Sequence, residues 1–278
     1  MNADTSWEKP VKELSAAEFD WICRFLYQRT GIALKDGKQA MVMGRLEKRL
    51  RRLQIASYDK YFSLLGHPGY EEETRLAMDL LTTNETYFFR EPRHFDFLRE
   101  VILPKARTAA PFRVWSAASS SGEEAYTTAM VIAADGRLPR WEITGTDISE
   151  RMLEKARSGL YPMQAAEKIP PAYLKRFCLR GKEEYEDFFL IDPSLRQRVT
   201  FSSLNLINRF PEELGQFDLI FLRNVMIYFD VPTKQALIRR MLPHLKPGAY
   251  LLVSHSETLN GISNDLTMLY PSVYQREG

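Results

Sequence analysis

"RVWSAASSSGEEAYTTAMVIAA", Arg113 to Ala134, decides how the rest of the chain is read. It opens as a short apolar strand and turns through Ala117, Ala118, Ser119, Ser120, Ser121 and Gly122. A helix then begins at two glutamates, Glu123 and Glu124. In a doubly wound α/β sheet the first strand-to-helix turn lies at the ligand crevice, and small side chains let the backbone approach a cofactor there. The Gly-x-Gly-x-x-Gly fingerprint is missing, which disfavours a dinucleotide pyrophosphate. Two carboxylates at the helix start would repel a phosphate and suit a ligand with a positive or hydroxyl-rich part. The plainer reading is a tight turn ahead of a helix N-terminus that favours Glu.

Downstream, "WEITGT", "VTFSSL", "FDLIFL" and "AYLLVS" repeat the apolar texture of "FRVWSA", with helix-like stretches after most of them. Alternating strands and helices imply a mostly parallel sheet with helices on its faces. "SVYQR" near the C-terminus is expected to add an edge strand. Tyr161 to Gln197 breaks the rhythm: it holds Pro170-Pro171, a short helix candidate and "DFFLI", and reads as an inserted antiparallel β-subdomain.

Upstream, the texture is helical. Ser15-Ala-Ala-Glu18 has the form of a capping box; Phe19, Ile22, Phe25, Leu26 and Arg29 follow at helical spacing, and Gly31 is placed to end that helix. A second helix is expected from Gln39 to Leu53 with Val42, Leu46, Leu50 and Leu53 inward, a third from Ser57 to Gly66, and a fourth from Gly69 to Leu81. The expected organisation is a helical domain over 1–83, a linker over 84–111 and an α/β domain over 112–278, with the insertion at about 161–197.

The chain has 278 residues, 45% hydrophobic and 27% charged, which fits a soluble globular protein rather than a disordered one. Its formal charge of +2 leaves any electrostatic partner to a local patch. Cys23 and Cys178 are too few for a disulfide framework. "MNADTSWEKPVKELS" has no apolar core of a secretory signal, and no apolar run approaches the ~20 residues of a membrane span. The expectation is a cytoplasmic protein.

Three further strand ends add to the first turn. Asp147 stands just past "ITGT", where an acidic residue can accept hydrogen bonds from both ribose hydroxyls; Asp-Ile-Ser is also a good helix N-cap. Asn205 and Leu206 follow the third strand as a polar and an apolar group placed to bracket a flat base, the plainer reading being a turn Asn. Arg223 and Asn224 emerge from "FDLIFLRNVMIYF", with Tyr228 and Phe229 close behind. Together these outline a nucleoside site without a phosphate cradle. S-adenosylmethionine has that chemistry: adenine, ribose, a sulfonium and an amino-acid tail. The linker stretch "LTTNETYFFREPRHF", Leu81 to Phe95, is too polar and aromatic for a plain connection and reads as part of a binding site.

"TTNETYFFREPRHF", "VWSAASSSGEEAY", "TDISERMLEKARSGLY", "FDLIFLRNVMIYFD" and "LKPGAYLLVSHSE" resemble, in family order, the successive motifs of the CheR family of chemotaxis protein-glutamate O-methyltransferases. The resemblance runs from the helical domain to the last strand. It implies a class I S-adenosylmethionine methyltransferase domain of doubly wound α/β fold behind a small helical N-terminal domain. The implied reaction methylates glutamate carboxylates of chemoreceptors for sensory adaptation, with S-adenosylhomocysteine as product. It puts Asn84, Thr86 and Arg90 on the methionine part of the cofactor and Ala117 and Glu123, with Glu124 as second choice, at the first turn. Asp147 would meet ribose, Asn205 and Leu206 adenine, with Arg223 and Asn224 beside it. Arg90 and Tyr228 become the candidate catalytic residues, Arg90 holding acidic groups and Tyr228 orienting the incoming carboxylate or facing the sulfonium.

Partners follow from the same resemblance. Arg45, Lys48, Arg49 and Arg52 share a stripe on the second helix and could dock along acidic receptor helices, although a solvated face is the plainer reading. The insertion could pair with a C-terminal pentapeptide of a receptor by strand addition. A monomer is expected, without nucleic-acid binding or membrane insertion. A glutamate with pKa near ~4.3 is already ionised at neutral pH, so methyl transfer needs placement and desolvation rather than a general base. No Ser/His/Asp or Cys/His set is therefore required. His67, His94, His244 and His255 show no metal-ligand spacing; each reads as structural or surface, and no metal is expected. Two rivals stay open. One is a methyltransferase of nucleic acid or another substrate, though Arg-Asn-Val-Met-Ile-Tyr replaces the Asn/Asp-Pro-Pro-Tyr/Phe stretch of amino-group methyltransferases. The other is a non-catalytic, cofactor-binding regulator.

Overall fold

The structure, a computed structural model, describes residues 11–107 and 109–277. Most of the N-terminal stretch read above as lacking a secretory signal lies outside them. The chain forms two compact units, Met1–Thr83 and Asn84–Gly278.

Among its described residues the first unit is built of helices. In α1 (Ala16–Thr30) the Ser15 hydroxyl accepts from the Glu18 amide while the Glu18 carboxylate accepts from the Ser15 amide, so the capping box is formed from both ends. Gly31 closes the helix in the left-handed region at φ 75°, a conformation open to glycine at no steric cost. Phe19, Ile22 and Leu26 pack with Val42, Leu46 and Leu50 of α2 (Gln39–Arg52), with Tyr58, Tyr61 and Phe62 of α3 (Tyr58–Phe62), and with Ala77 and Leu81 of α4 (Glu71–Leu81). Leu53 does not join them. The helix ends at Arg52, and Leu53, past the last turn, is 36% exposed. The third helix is also shorter than expected and gives way to turns after Phe62.

The second unit is a seven-stranded sheet in the order β6-β2-β1-β7-β8-β10-β9. The strands are β1 (Phe112–Ser116), β2 (Trp141–Asp147), β6 (Val199–Ser203), β7 (Phe217–Leu222), β8 (Leu245–Val253), β9 (Leu266–Tyr270) and β10 (Val273–Arg276). The five from β6 to β8 run parallel. Strands β1 and β7 are nearly continuous in buried residues, as strands covered on both faces must be. Helices Glu123–Asp135, Glu150–Ser158 and Val231–Met241 lie on the connections between parallel strands. The strand order reverses between β1 and β7, so the crevice for a ligand opens beyond their carboxyl ends.

"SVYQR" does not form the edge. It is β10, antiparallel to β8, and β9 lies outside it. Strand β9 was hidden in the sequence because Met268, Leu269 and Tyr270 are all exposed and no alternation marks a buried face. Between β2 and β6 the chain builds a small antiparallel sheet, β3 (Leu160–Pro162), β4 (Cys178–Arg180) and β5 (Phe188–Ile191), in the order β3-β5-β4. Residues 84–111 belong to the second unit: Phe95, Leu98, Ile102 and Leu103 sit in its core, on a helical run that passes through a π turn at Leu98–Ile102.

Candidate active site

The turn after β1 is held by backbone and by one carboxylate. The Ala117 amide donates to the Phe221 carbonyl at 2.9 Å, and Thr146 Oγ1 donates to the Ala117 carbonyl at 3.1 Å. Asp147, at the end of β2, accepts from the Ser120 amide on Oδ2 (2.8 Å) and from the Ser149 amide on Oδ1 (2.9 Å). These contacts orient the Asp147 carboxylate at the end of β2. The helix cap is Ser149, whose side chain accepts from the Met152 amide, not Asp147. At Gly122 (φ 94°) an added Cβ would stand 2.9 Å from Ala156 Cβ and 3.1 Å from Tyr161 Oη, so only glycine brings the turn this close to the next helix. Ser120 Oγ donates to the Asn84 carbonyl at 3.0 Å and ties the start of the linker to the turn.

The two glutamates that open the next helix diverge. Glu123 accepts from the Ser121 hydroxyl at 2.8 and 3.0 Å, and burial pushes its carboxyl up. Glu124 accepts from Ser116 Oγ at 2.7 Å and from Arg223 Nη1 at 3.0 Å; burial raises it too, against the pull of Arg223. The Arg223 guanidinium, 1% exposed, also lies 3.2 Å from the Glu91 carboxylate and donates to the Arg90 carbonyl. Its side chain is thus committed inside the protein, between Phe95 and Phe221. This corrects the expectation that it lines the adenine; any part at a ligand falls to its backbone.

Arg90 is presented by a contorted strap. Phe89 (φ 56°) and Glu91 (φ 54°) on either side of it are both left-handed, a genuine outlier for a bulky residue such as Phe. Phe88 anchors the strap edge-on to Tyr161, and the Phe89 amide donates to Thr127 Oγ1 at 3.1 Å. Arg90 itself is half-buried, donates to the Glu85 carbonyl at 2.6 Å and lies 5.6 Å over the Tyr87 ring. After β7 the chain turns through Asn224 (φ 58°), whose Nδ2 donates to Ser254 Oγ at 2.8 Å. Tyr228 follows, half-buried, and its hydroxyl makes no hydrogen bond among the described residues. Asn205 Oδ1 accepts from the Ile207 amide at 3.2 Å, the turn expected of an Asn there, and Leu206 is buried beside it. Thr86 is half-buried on the strap.

Two acidic residues at this site, Glu91 and Glu257, escaped the reading of the sequence, and two histidines read there as structural or surface, His94 and His255, lie close to Glu91. Glu91 and Glu257 accept hydrogen bonds from Ser254 and Asn224. His94 and His255 bond to one hydroxyl, Ser272 Oγ, at 2.8 and 3.1 Å. Glu91, His94 and His255 bring possible ligand atoms within 4.8 Å of one another, a cluster that sequence spacing did not reveal. Its carboxylate is already paired with Arg223, and that fixed cation opposes a second one. Burial, with Arg223 and His255 adding to it, pushes His94 down to about 3, so it is a neutral core histidine.

In the first unit the basic stripe is only half free, which corrects the four-residue docking face. Arg45 donates to the Leu81 and Thr82 carbonyls, both at 2.9 Å, and so caps the end of α4. Arg49 grips Glu73 through Nε at 2.8 and 2.9 Å, and the Tyr61 hydroxyl completes the pair at 2.6 Å. Lys48 and Arg52 stay exposed.

The turn after β1 offers small side chains, Asp147 a carboxylate and the polar strap a cation. Those are the complements of a ribose and an amino-acid tail, so the residues fit S-adenosylmethionine. Comparison with known proteins agrees. Residues 84–274 match the family described as CheR methyltransferase, SAM binding domain, and residues 17–82 the one described as CheR methyltransferase, all-alpha domain. The chain is 41% identical over 263 residues to a chemotaxis protein methyltransferase of Salmonella typhimurium, covering 94% of this chain and 90% of that protein. It is 40% identical over 263 residues to one of Escherichia coli, covering 94% and 91%. A chemotaxis protein methyltransferase 2 of Pseudomonas aeruginosa is 38% identical over 260 residues, 92% of each chain. With both domains matched in order over a site built for this cofactor, the chain belongs to the CheR methyltransferase family and is an S-adenosylmethionine-dependent methyltransferase.

Proposed function

We propose that the protein methylates glutamate side-chain carboxylates of chemoreceptors, yielding glutamate methyl esters and S-adenosylhomocysteine, in sensory adaptation. The observation that carries this reading is the joining of the Arg90 strap to the turn bearing Asn224 and Tyr228, through Arg223 and Glu91, beyond the carboxyl ends of β1 and β7. When bound, S-adenosylmethionine supplies a methyl group already activated on a sulfonium. Asp147 takes the ribose hydroxyls, Asn205 and Leu206 flank the base with Asn224 near it, and Ala117 leaves the backbone open. Asn84, Thr86 and Arg90 hold the methionine part, Arg90 by a two-point hydrogen bond to its carboxylate. Of the glutamate pair we favour Glu124 as the neighbour of the cofactor, because it faces Ser116 and Arg223 at the end of β1, whereas Glu123 turns to Ser121.

The acceptor glutamate arrives ionised. The chain's task is then to orient it and exclude water, and the unbonded Tyr228 hydroxyl is the group for that. Lys48 and Arg52 supply a short basic face for acidic receptor helices. Strand β4 is an edge of the small sheet, with Leu179 exposed, so a receptor pentapeptide could add beside it.

The deciding experiment incubates the purified protein with tritiated S-adenosylmethionine and receptor-containing membranes. Label on the receptor that alkali releases as volatile methanol supports carboxyl methyl esters. Label resistant to alkali, or appearing on nucleic acid instead, would send the methyl group to another substrate class.

A further inference from the structure

Seven non-glycine residues among those described adopt positive φ, and five of them meet at this site: Phe89, Glu91, Ser120, Asn224 and Ser272. Left-handed backbone at such residues persists only where its surroundings over-determine it. For Phe89, Glu91 and Asn224 the surroundings include two carboxylates, Glu91 and Glu257. Glu91 Oε1 accepts from Ser254 Oγ at 2.7 Å and from Asn224 Nδ2 at 3.5 Å, and Oε2 accepts from the His255 amide at 3.4 Å. Glu257 Oε2 accepts from the Ser254 amide at 2.8 Å and the Asn224 amide at 3.1 Å, and Oε1 accepts from the Ile227 amide at 3.1 Å. Each carboxylate therefore grips both Ser254 and Asn224, one through their side chains and the other through their backbone.

The chemistry of the two differs in a way that suits a clamp. Glu91 faces the Arg223 guanidinium, so it is a paired anion. Among the described residues Glu257 pairs with no cation, and its carboxylate accepts from backbone amides of the very turn it holds. Ile227 immediately precedes Tyr228, and Glu91 immediately follows Arg90. The two candidate catalytic side chains thus hang on segments fastened to a common point, Ser254 at the end of β8.

We propose that Glu91 and Glu257 act as one positioning pair, holding the Arg90 strap and the Tyr228 turn in mutual register through Ser254 and Asn224. The pair deepens the proposed methyl transfer and rests on that reading for its kinetic test. Its physical content is independent of substrate: removing either carboxylate frees the same two segments, while the ribose and adenine groups at β2 and β6 stay where they are.

The test compares Glu91→Gln, Glu257→Gln and the double variant with the parent enzyme, measuring kcat, KM for S-adenosylmethionine, affinity for S-adenosylhomocysteine and Tm. Gln keeps the shape and one acceptor oxygen, and Ser254→Ala is the gentler variant should either fail to fold. Each Gln variant should lose about 30-fold or more in kcat while product affinity falls by less than the about tenfold expected from deleting Arg90, and the double variant should be no worse than the poorer single within about threefold, because residues that act as a unit are not additive. Unchanged kcat overturns the pair. So does product affinity falling in step with kcat, which signals general loosening, and so do multiplying losses in the double variant. If the parent enzyme esterifies no receptor, the functional reading has failed and hydrogen exchange decides the pair alone. The Asn224 and Ile227 amides should then exchange about tenfold faster or more in both single variants at unchanged Tm; exchange rates like the parent's would end the proposal.

Discussion

Arg90 shows what a residue's neighbours decide. Flanked by two left-handed residues and laid over Tyr87, its side chain is fixed near one direction before any ligand arrives. A charge-assisted, two-point hydrogen bond is worth ~1.5–3 kcal/mol or more, so Arg90→Ala should weaken S-adenosylhomocysteine binding by about tenfold or more. Arg90→Lys should not restore it, since an ammonium cannot form the fork. Titration calorimetry on the three proteins checks both; full affinity in the Ala variant would remove Arg90 from the cofactor. His94 yields a second expectation at this scale. Its folded value is pushed down to about 3 from an ordinary 6.5. The unfolded chain therefore binds the proton first, and the stability held at neutral pH is lost as pH falls below 6.5 towards the folded value. The slope from this one group approaches ~1.4 kcal/mol per pH unit. Denaturant unfolding of parent and His94→Gln between pH 6.5 and about 5.5 should show the parent losing stability more steeply; parallel slopes would mean that His94 is not neutral and buried as described. The place of Asp147 at the end of β2 was legible because a strand end is local in sequence. Glu91 was not: its carboxylate meets Ser254, 163 positions away, and no local pattern records such a partner.

Among the elements, α2 divides into what spacing can and cannot say. The apolar positions Val42, Leu46 and Leu50 follow from the helical period alone, and they are buried. The same period correctly sets Arg45, Lys48, Arg49 and Arg52 on one side of the helix, yet it cannot say that α4 covers part of that side with Glu73 and its terminal carbonyls. Glu73 is held below the ordinary carboxylate range, burial being outweighed by Arg49 and Tyr61. Glu73→Ala strands Arg49 and the Tyr61 hydroxyl and should cost about 2–3 kcal/mol, read by urea unfolding. Lys48→Ala and Arg52→Ala should change stability by less than about 0.5 kcal/mol while lowering the rate of receptor labelling, increasingly so at low salt. Equal labelling by the parent and both variants would dismiss α2 as a docking helix. The small sheet makes a sharper demand. A Cβ at Gly181 would lie 1.8 Å from the Tyr185 carbonyl oxygen, which backbone must move to relieve. Gly181→Ala should therefore disrupt the β4–β5 loop, seen as faster amide exchange across Cys178–Ile191, with cofactor binding spared; protection equal to the parent's would mean that the loop yields without cost.

At the scale of the molecule, the two units have separate hydrophobic cores that share no residue, and every residue assigned to the cofactor lies in the second. The change of hydrophobic period from helical to strand-like at Phe112 was legible in the sequence; the helical run over residues 93–105 ahead of it joins the second unit through contacts only the fold creates. Separate cores make ligand linkage selective. A ligand that binds only the folded second unit stabilises that unit by RT ln(1 + [L]/Kd), about 2.7 kcal/mol at a hundredfold excess over Kd. Saturating S-adenosylhomocysteine should accordingly shift the calorimetric unfolding of residues 84–278, and the shift should be the same, within about 0.5 kcal/mol, whether those residues are heated alone or in the full chain. The isolated fragment should bind the product within about threefold of the full chain's affinity, because nothing assigned to the cofactor has been removed. Receptor labelling, by contrast, should fall with the loss of Lys48 and Arg52. A fragment that folds but binds more than about tenfold more weakly would show that residues 1–83 contribute to the cofactor site. A fragment that binds and labels receptor at the full rate would instead confine the acceptor's whole docking surface to the second unit.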